Sequence, residues 1–251
     1  AKRIFKLSKK TKIRLVVLGS VPRDLDLSLL SSRSSGVYEI LNSIETYEIT
    51  KGSDGYNWEF SDQILGDLIP EKEGEEITIT LTNVPLEENW YSRRLTNNVV
   101  IFTFHEIADY LRFHNIGLEN VVFRLLHAYT LVYRENKGSI PTCYEYSNFT
   151  HDETKGCIYD MNGIKSDIIY SCDEPTICDS CSQRLLTNGV SRELVSKSKD
   201  ELKLVRKSLF FRLSAWVSVH PIRSILIASA WSIVIGVFSS VIASNIFGNG
   251  S

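Results

Sequence analysis

The stretch Leu118–Glu135, LENVVFRLLHAYTLVYRE, reads as a strong helix of about five turns, and the rest of the fold is arranged around it. Toward the N-terminus, Asn98–Phe104 (NVVIFTF) is a strand, and Glu76–Val84 (EITITLTNV) is another, alternating Ile and Leu with Thr. Lys12–Gly19 (KIRLVVLG) is an apolar run ending at a glycine, the pattern of a buried strand. Between these, residues 24–43 have helical rather than alternating spacing, and Ile44–Thr50 is a short strand. Ser61–Ile69 is a helix with Ser61 as its N-cap, and His105–Phe113 is a short helix or turn. Strands and helices alternate, then the long helix leads into a loop rich in Cys, His and Gly. The expected fold is an α/β layer, a mixed sheet with packed helices, over residues 1–186.

The composition sets outer bounds. The chain has 251 residues, and 30 acidic against 28 basic side chains leave a formal charge of −2, so a strongly basic nucleic-acid binder is excluded. With 43% apolar and 10% aromatic residues there is enough for a packed core, which excludes global disorder. Charge is unevenly placed, however. The stretch from Trp58 to Glu88 is acidic, and its Glu71, Glu73, Glu75 and Glu76 read as a solvated loop.

The C-terminal part has another character. From Ser224 to Phe247 (SILIASAWSIVIGVFSSVIASNIF) 24 residues pass without one ionisable side chain. As a helix this is ~36 Å long, enough for a ~30 Å hydrocarbon core, so residues 223–248 are expected to be a transmembrane helix. From Arg184 to Arg223 there are nine Lys/Arg against three acids. A basic flank on that side only predicts a single-pass protein with its N-terminal domain in the cytoplasm. Residues 187–222 read as a basic juxtamembrane or interfacial linker. No cleaved signal peptide is evident at the N-terminus. Ser224, Ala228, Ser232, Gly236, Ser240 and Ser244 place small residues at every fourth position, a pattern that lets helix backbones approach and points to a homo-oligomer.

Site chemistry collects in the Cys/His loop. His151 and Cys157 precede a Cys178-Asp-Ser-Cys181 turn. A CxxC holds two thiolates with the bite of tetrahedral zinc, and one His and one Cys complete a Cys3His set. Four protein ligands close the site, so one structural zinc per chain is expected. Cys143 and Cys172 are left over, and either could replace His151. A redox dithiol is the rival reading, but it prefers its CxxC at a strand-to-helix start. The chain contains no GxSxG, GxxxxGK[ST] or GxGxxG.

Residues 12–186 resemble the archaemetzincins, a family of small zinc peptidases. Their HExxHxxGxxH helix is followed by Cys-x4-Cys-x-Met and then CxxC. Here Cys157–Met161 (CIYDM), Asp167 and Ile177–Cys181 (ICDSC) stand in for that tail, with His151 in place of its first cysteine. KIRLVVLGSVPRD resembles the family's first strand and Gly-x-Val-Pro turn, and Ile77–Leu86 (ITITLTNVPL) a later strand. The resemblance implies a metzincin-like fold and puts the active helix at Leu118–Glu135. Laid over the motif, Phe123 takes the first His, Arg124 the Glu, His127 the second His, Thr130 the Gly and Tyr133 the third His. Phe cannot bind a metal and Arg cannot act as a base, so the resemblance implies a pseudopeptidase.

Three functions follow as expectations. In the first, the old cleft binds a peptide or small anionic ligand through Arg124 and His127, and the anchor assembles the domain with copies of itself or another membrane protein. In the second, the small-faced helices oligomerise and disrupt the bilayer, as in anti-phage effectors, with the soluble domain as a regulatory cap. In the third, an active peptidase uses His105-Glu106, with Asp109 and His114 nearby.

Overall fold

The computed structural model describes residues 9–71, 73–152 and 154–247, the side chains of residues 42, 43 and 241–247 excepted. The chain divides between Arg206 and Lys207 into two units.

In the first unit, β1 (Thr11–Leu18), β2 (Tyr38–Tyr47), β3 (Ile77–Thr82), β4 (Ser92–Arg94) and β5 (Val99–Thr103) form a sheet in the order β2-β1-β3-β5-β4. Four strands are parallel, and β4 is added antiparallel at the β5 edge. Side chains alternate along a strand, so each strand feeds both faces. Ile13, Leu15, Ile77, Ile79, Leu81, Val100 and Phe102 join one apolar cluster with helix α4 (Leu118–Glu135). On the other face Leu18 and Ile101 pack with Leu65 of helix α2 (Asp62–Asp67) and with Ile69 and Leu86. Thr78, Thr80 and Thr82 of β3 are also buried, and the Thr82 hydroxyl donates to the Leu18 carbonyl at 2.8 Å. The Ile/Thr alternation therefore belongs to a strand covered on both sides.

The expected strands at Lys12, Glu76 and Asn98 and the helix at Leu118–Glu135 are present, and Ser61 caps α2 by accepting from the Ile64 N–H at 3.3 Å. Residues 24–43 differ from expectation. Only α1 (Leu27–Ser32) is helical, and the chain turns at Gly36 into β2, whose Tyr38 pairs with Thr11. Long-range pairing to a buried neighbour outweighs the local helical spacing there.

Helix α3 (Ile107–Phe113) follows β5, and α5 (Asp179–Thr187) and α6 (Arg192–Leu202) follow the Cys/His loop. Residues 187–222 were expected to be linker, yet α6 buries Leu194, Val195 and Leu202 in the main core, and Val205 beyond it is buried too. The compact unit thus reaches Arg206. The acidic stretch is also not simply solvated. The Glu75 carboxylate lies 3.5 Å from the Arg14 guanidinium, and Glu76 accepts from the Lys12 N–H at 2.9 Å, so both are tied to β1.

The second unit holds α7 (Leu209–Val219) and α8 (Pro221–Phe247). Pro221 opens α8, where its missing N–H costs nothing. α8 is long and apolar enough to cross a membrane. α7 is apolar apart from Arg212, Ser214 and Ser218, and Phe210, Leu213 and Trp216 are exposed on it.

Candidate metal centre and adjoining cleft

α4 is buried on every side. Its C-terminal half is held to α5 by Arg184, which donates to Glu135 at 2.9 Å and to the Phe149 carbonyl at 2.6 Å, its guanidinium lying over the Tyr159 ring. That clamp fixes the Cys/His loop against the helix. Within the loop, His151 N–H donates to the Tyr159 carbonyl at 3.1 Å, and Ile158 N–H to the Thr176 carbonyl at 2.9 Å. Gly156, at φ +91°, makes the turn that delivers Cys157, a conformation that a side chain would strain. Cys178 is the N-cap of α5, its Sγ accepting from the Cys181 N–H at 3.5 Å.

These local structures bring one ligand atom each from His151, Cys157, Cys178 and Cys181 within 4.8 Å of one another. His151 Nε2 lies 3.6 Å from Cys178 Sγ. Tetrahedral zinc, with Zn–S near 2.3 Å and Zn–N near 2.0 Å, separates such a pair by about 3.6 Å. The group can therefore hold a metal, and its four protein donors suit zinc. The Cys157 thiol is held below its ordinary value, chiefly by its hydrogen bond with Cys181, whose own thiol the same bond pushes up. One sulfur is thus already favoured as the thiolate, the ligating form. The leftover cysteines stand apart from this group. Cys143 pairs with Arg94 N–H at 3.0 Å, and Cys172 is buried in the core, which pushes its thiol up to about 12.

Residues 158–161, leaving the metal centre, form one wall of a cleft of about 300 Å³. The edge strand β4 and one side of α4, with Arg124, Leu125, Ala128, Tyr129 and Val132, form the others. Arg124 and His127 were expected to share this pocket as a cationic pair, and the structure separates them. Three residues along a helix turn a side chain about 60° away from its predecessor. Arg124 faces the cleft, whereas His127 packs against Tyr38, with ring centroids 5.1 Å apart, and Phe123 lies under Arg33. His127 is 1% exposed and its pKa is lowered to about 3, first by burial and then by the Arg33 charge, so it is neutral at ordinary pH. The Glu201 carboxylate, 3.5 Å from His127, is already engaged by Ser35 and the Gly36 N–H.

This placement sets a pH dependence. His127 stays neutral in the fold but protonates in the unfolded chain below about pH 6.5. Stability is therefore full above that value and falls as pH drops toward 3, by up to about 1.4 kcal/mol per pH unit from this group. Urea midpoints measured from pH 7 to pH 4 should show that loss in the wild type, and a shallower slope in His127→Leu. Equal slopes would show that His127 is not the group responsible.

No family model and no curated protein matches the sequence. Among solved structures, the chain is similar to archaemetzincin from Methanopyrus kandleri. That similarity covers 71% of this chain and 95% of the other, at 16% identity and a TM-score of 0.47. It is the family that the cysteine tail resembles.

His105, Glu106, Asp109 and His114 do not gather as a metal group among the described residues. Glu106 is paired with Lys165 at 2.8 Å, Asp109 with Arg112 at 3.0 Å, and the His114 ring packs edge-on to Phe113. Residues that the sequence did not single out line the cleft beside Arg124: Tyr91, Arg93 and Arg94 on and next to β4. A strand of three residues is too short for alternation to mark it, and the Arg-Arg pair was the one local signal.

Proposed function

We propose that this chain is a membrane-anchored binding module, a metzincin-like frame with a structural zinc and without hydrolytic machinery. The observation that carries this reading is the cleft-facing side of α4. A zinc hydrolase needs three ligands, an open position and a carboxylate base on that wall. Here Arg124, Leu125, Ala128, Tyr129 and Val132 occupy it, and no histidine lines the cleft among the described residues. When bound to His151, Cys157, Cys178 and Cys181, zinc would cross-link residues 151–161 to α5 and so hold one wall of the cleft in place.

α8 serves as the anchor, and the basic residues that precede it favour an N-terminal domain on the cytoplasmic side. Its small residues support self-association or packing on another membrane protein. Steps of four residues rotate about 40° each, so the stripe winds round the helix and suits a right-handed crossing near −40°. Ser224 and Ser232 already donate to the Pro221 and Ala228 carbonyls within the helix. Association would then come from close backbone approach rather than from interhelical hydrogen bonds. The side chain of Ser244 lies outside the described residues. The exposed Phe210, Leu213 and Trp216 of α7 favour a second reading, a bilayer-disrupting oligomer capped by the soluble unit, which dye leakage from liposomes would reveal.

Two measurements test the module. The zinc-loaded full chain, incubated with a peptide library and read by mass spectrometry, should cleave nothing; zinc-dependent cleavage that persists in Cys178→Ser would overturn the reading. The full chain should stay in the membrane pellet through alkaline carbonate, and a chain ending at Val219 should move to the supernatant. Retention of the shortened chain in the pellet would place the anchor elsewhere.

A further inference from the structure

We infer that the cleft beside the metal centre is a carboxylate-binding site organised by Arg124; this deepens the binding role proposed above and rests on it. Arg124 is 3% exposed, and its guanidinium has no carboxylate within 4 Å among the described residues. Nη2 donates to the Asp160 backbone carbonyl at 3.2 Å, and Nε is buried without any acceptor. A guanidinium cannot shed its proton, so burial leaves a fixed positive charge that only a counter-charge can offset well. The other side chains at the site do not provide one. The Tyr91 hydroxyl donates to the Met161 carbonyl at 2.9 Å, and Tyr129 is paired with Ser92 at 3.0 Å.

The charges lining the cleft decide the class of ligand. Arg93 is neutralised by Asp62 at 2.7 Å, with Glu88 beyond it at 3.7 Å. Among the described residues Arg94 has neutral partners only, the Pro141 carbonyl at 2.9 Å and Ser147 at 3.2 Å, and it stacks on the Phe149 ring. Two carboxylates also line the cleft: Glu88, on the Arg93 side at 3.7 Å, and Asp160, which accepts the Asn162 N–H at 3.0 Å. Neither is paired with Arg124, so a single charge is left without a counter-ion there, which matches a singly charged carboxylate better than a phosphate. The planar fork of Arg124, with Nε unoccupied, suits the two oxygens of a carboxylate. Leu125, Ala128, Val132, Phe149 and Ile158 give the rest of the cleft an apolar wall. A volume of about 300 Å³ is at the small end of ligand cavities, room for an acid the size of one amino acid. Such a carboxylate could be a free organic acid or the C-terminus of a peptide.

Titration calorimetry on the full chain in detergent tests this with three probes: N-acetyl-phenylalanine, its C-terminal amide, and Gly-Gly-Phe with a free carboxylate. The acid should bind at least about tenfold more tightly than the amide, the size of a lost charge-assisted pair. Arg124→Met should erase that preference. If Arg124→Met does not fold, Ala128→Leu keeps the guanidinium and fills the apolar wall, and should weaken the acid and the amide together. Tighter binding of Gly-Gly-Phe assigns the site to peptide ends, and tighter binding of N-acetyl-phenylalanine to free acids. Equal binding of acid and amide, no binding of either acid, or a preference that survives in Arg124→Met overturns the proposal. Failure here with no peptide cleavage and intact membrane association sinks only the carboxylate site. Zinc-dependent cleavage that persists in Cys178→Ser would instead sink the module reading on which it rests.

Discussion

Cys178→Ser is expected to take the metal content of the purified full chain from about one zinc per chain to near zero, read by elemental analysis. The substitution is informative because of where Cys178 sits. It is the N-cap of α5, and serine is a strong N-cap, so the bond from the Cys181 N–H is kept while the thiolate is lost. Any effect then reports metal ligation and not helix capping. Binding free energies of structural zinc are of order 10–16 kcal/mol in small domains, so losing one of four ligands should also lower the unfolding temperature. The far end of the loop from His151 to Met161 is also tied by Tyr91 to the Met161 carbonyl, by Arg124 to the Asp160 carbonyl and by the Ile158 N–H to Thr176, whereas the exposed Thr154 and Lys155 lie between two of the metal ligands. Limited proteolysis should therefore cut first within that loop in the variant. His127→Ala, by contrast, should leave the zinc content unchanged, because its ring packs on Tyr38 away from the four donors. A zinc that survives Cys178→Ser would reveal a second site and put hydrolysis back in consideration.

The second large effect is at the lip of the cleft. Arg93 of β4 donates through Nε to both Asp62 oxygens, at 2.9 and 3.0 Å, and through Nη2 at 2.7 Å. Both side chains are 7% exposed. Asp62 also opens α2, where a negative charge is favoured by the helix dipole. Asp62→Ala leaves the guanidinium buried with only Glu87 at 3.6 Å and Glu88 at 3.7 Å, both far more exposed. Breaking a buried pair costs about 3–5 kcal/mol, and the two glutamates should hold the loss near the lower end. Chemical denaturation should show that loss, with Asp62→Asn intermediate. The double change Asp62→Leu with Arg93→Met should be milder than Asp62→Ala alone, since no charge is left stranded. A cost below about 1 kcal/mol for Asp62→Ala would mean that the pair behaves as a surface ion pair.

Both effects belong to features that differ in how far the sequence reveals them. The CxxC and its partners are legible because ligand spacing is a local property: Cys178 and Cys181 share one helix start. Even so, the choice of His151 over Cys143 or Cys172 was open until the fold placed Cys143 beside Arg94 and Cys172 in the core. The Arg93–Asp62 pair joins residues 31 positions apart across an edge strand of three residues, and nothing in either segment announces it.

What the sequence determined by itself is what local periodicity and composition encode. The strands beginning near Lys12, Glu76 and Asn98, the limits of α4, the Ser61 cap and the long apolar C-terminal helix are all of this kind. The tertiary structure alone decided which side of α4 meets the cleft. Although α4 is almost wholly buried, Asn120, Arg124 and His127 fall on one polar side of it by their spacing, so Arg124 and His127 look equivalent in the sequence. Only their long-range neighbours separate them: β4 and residues 158–161 beside Arg124, Tyr38 and Glu201 beside His127. The same reason hid α6, whose Leu194, Val195 and Leu202 face a core assembled from the opposite end of the chain.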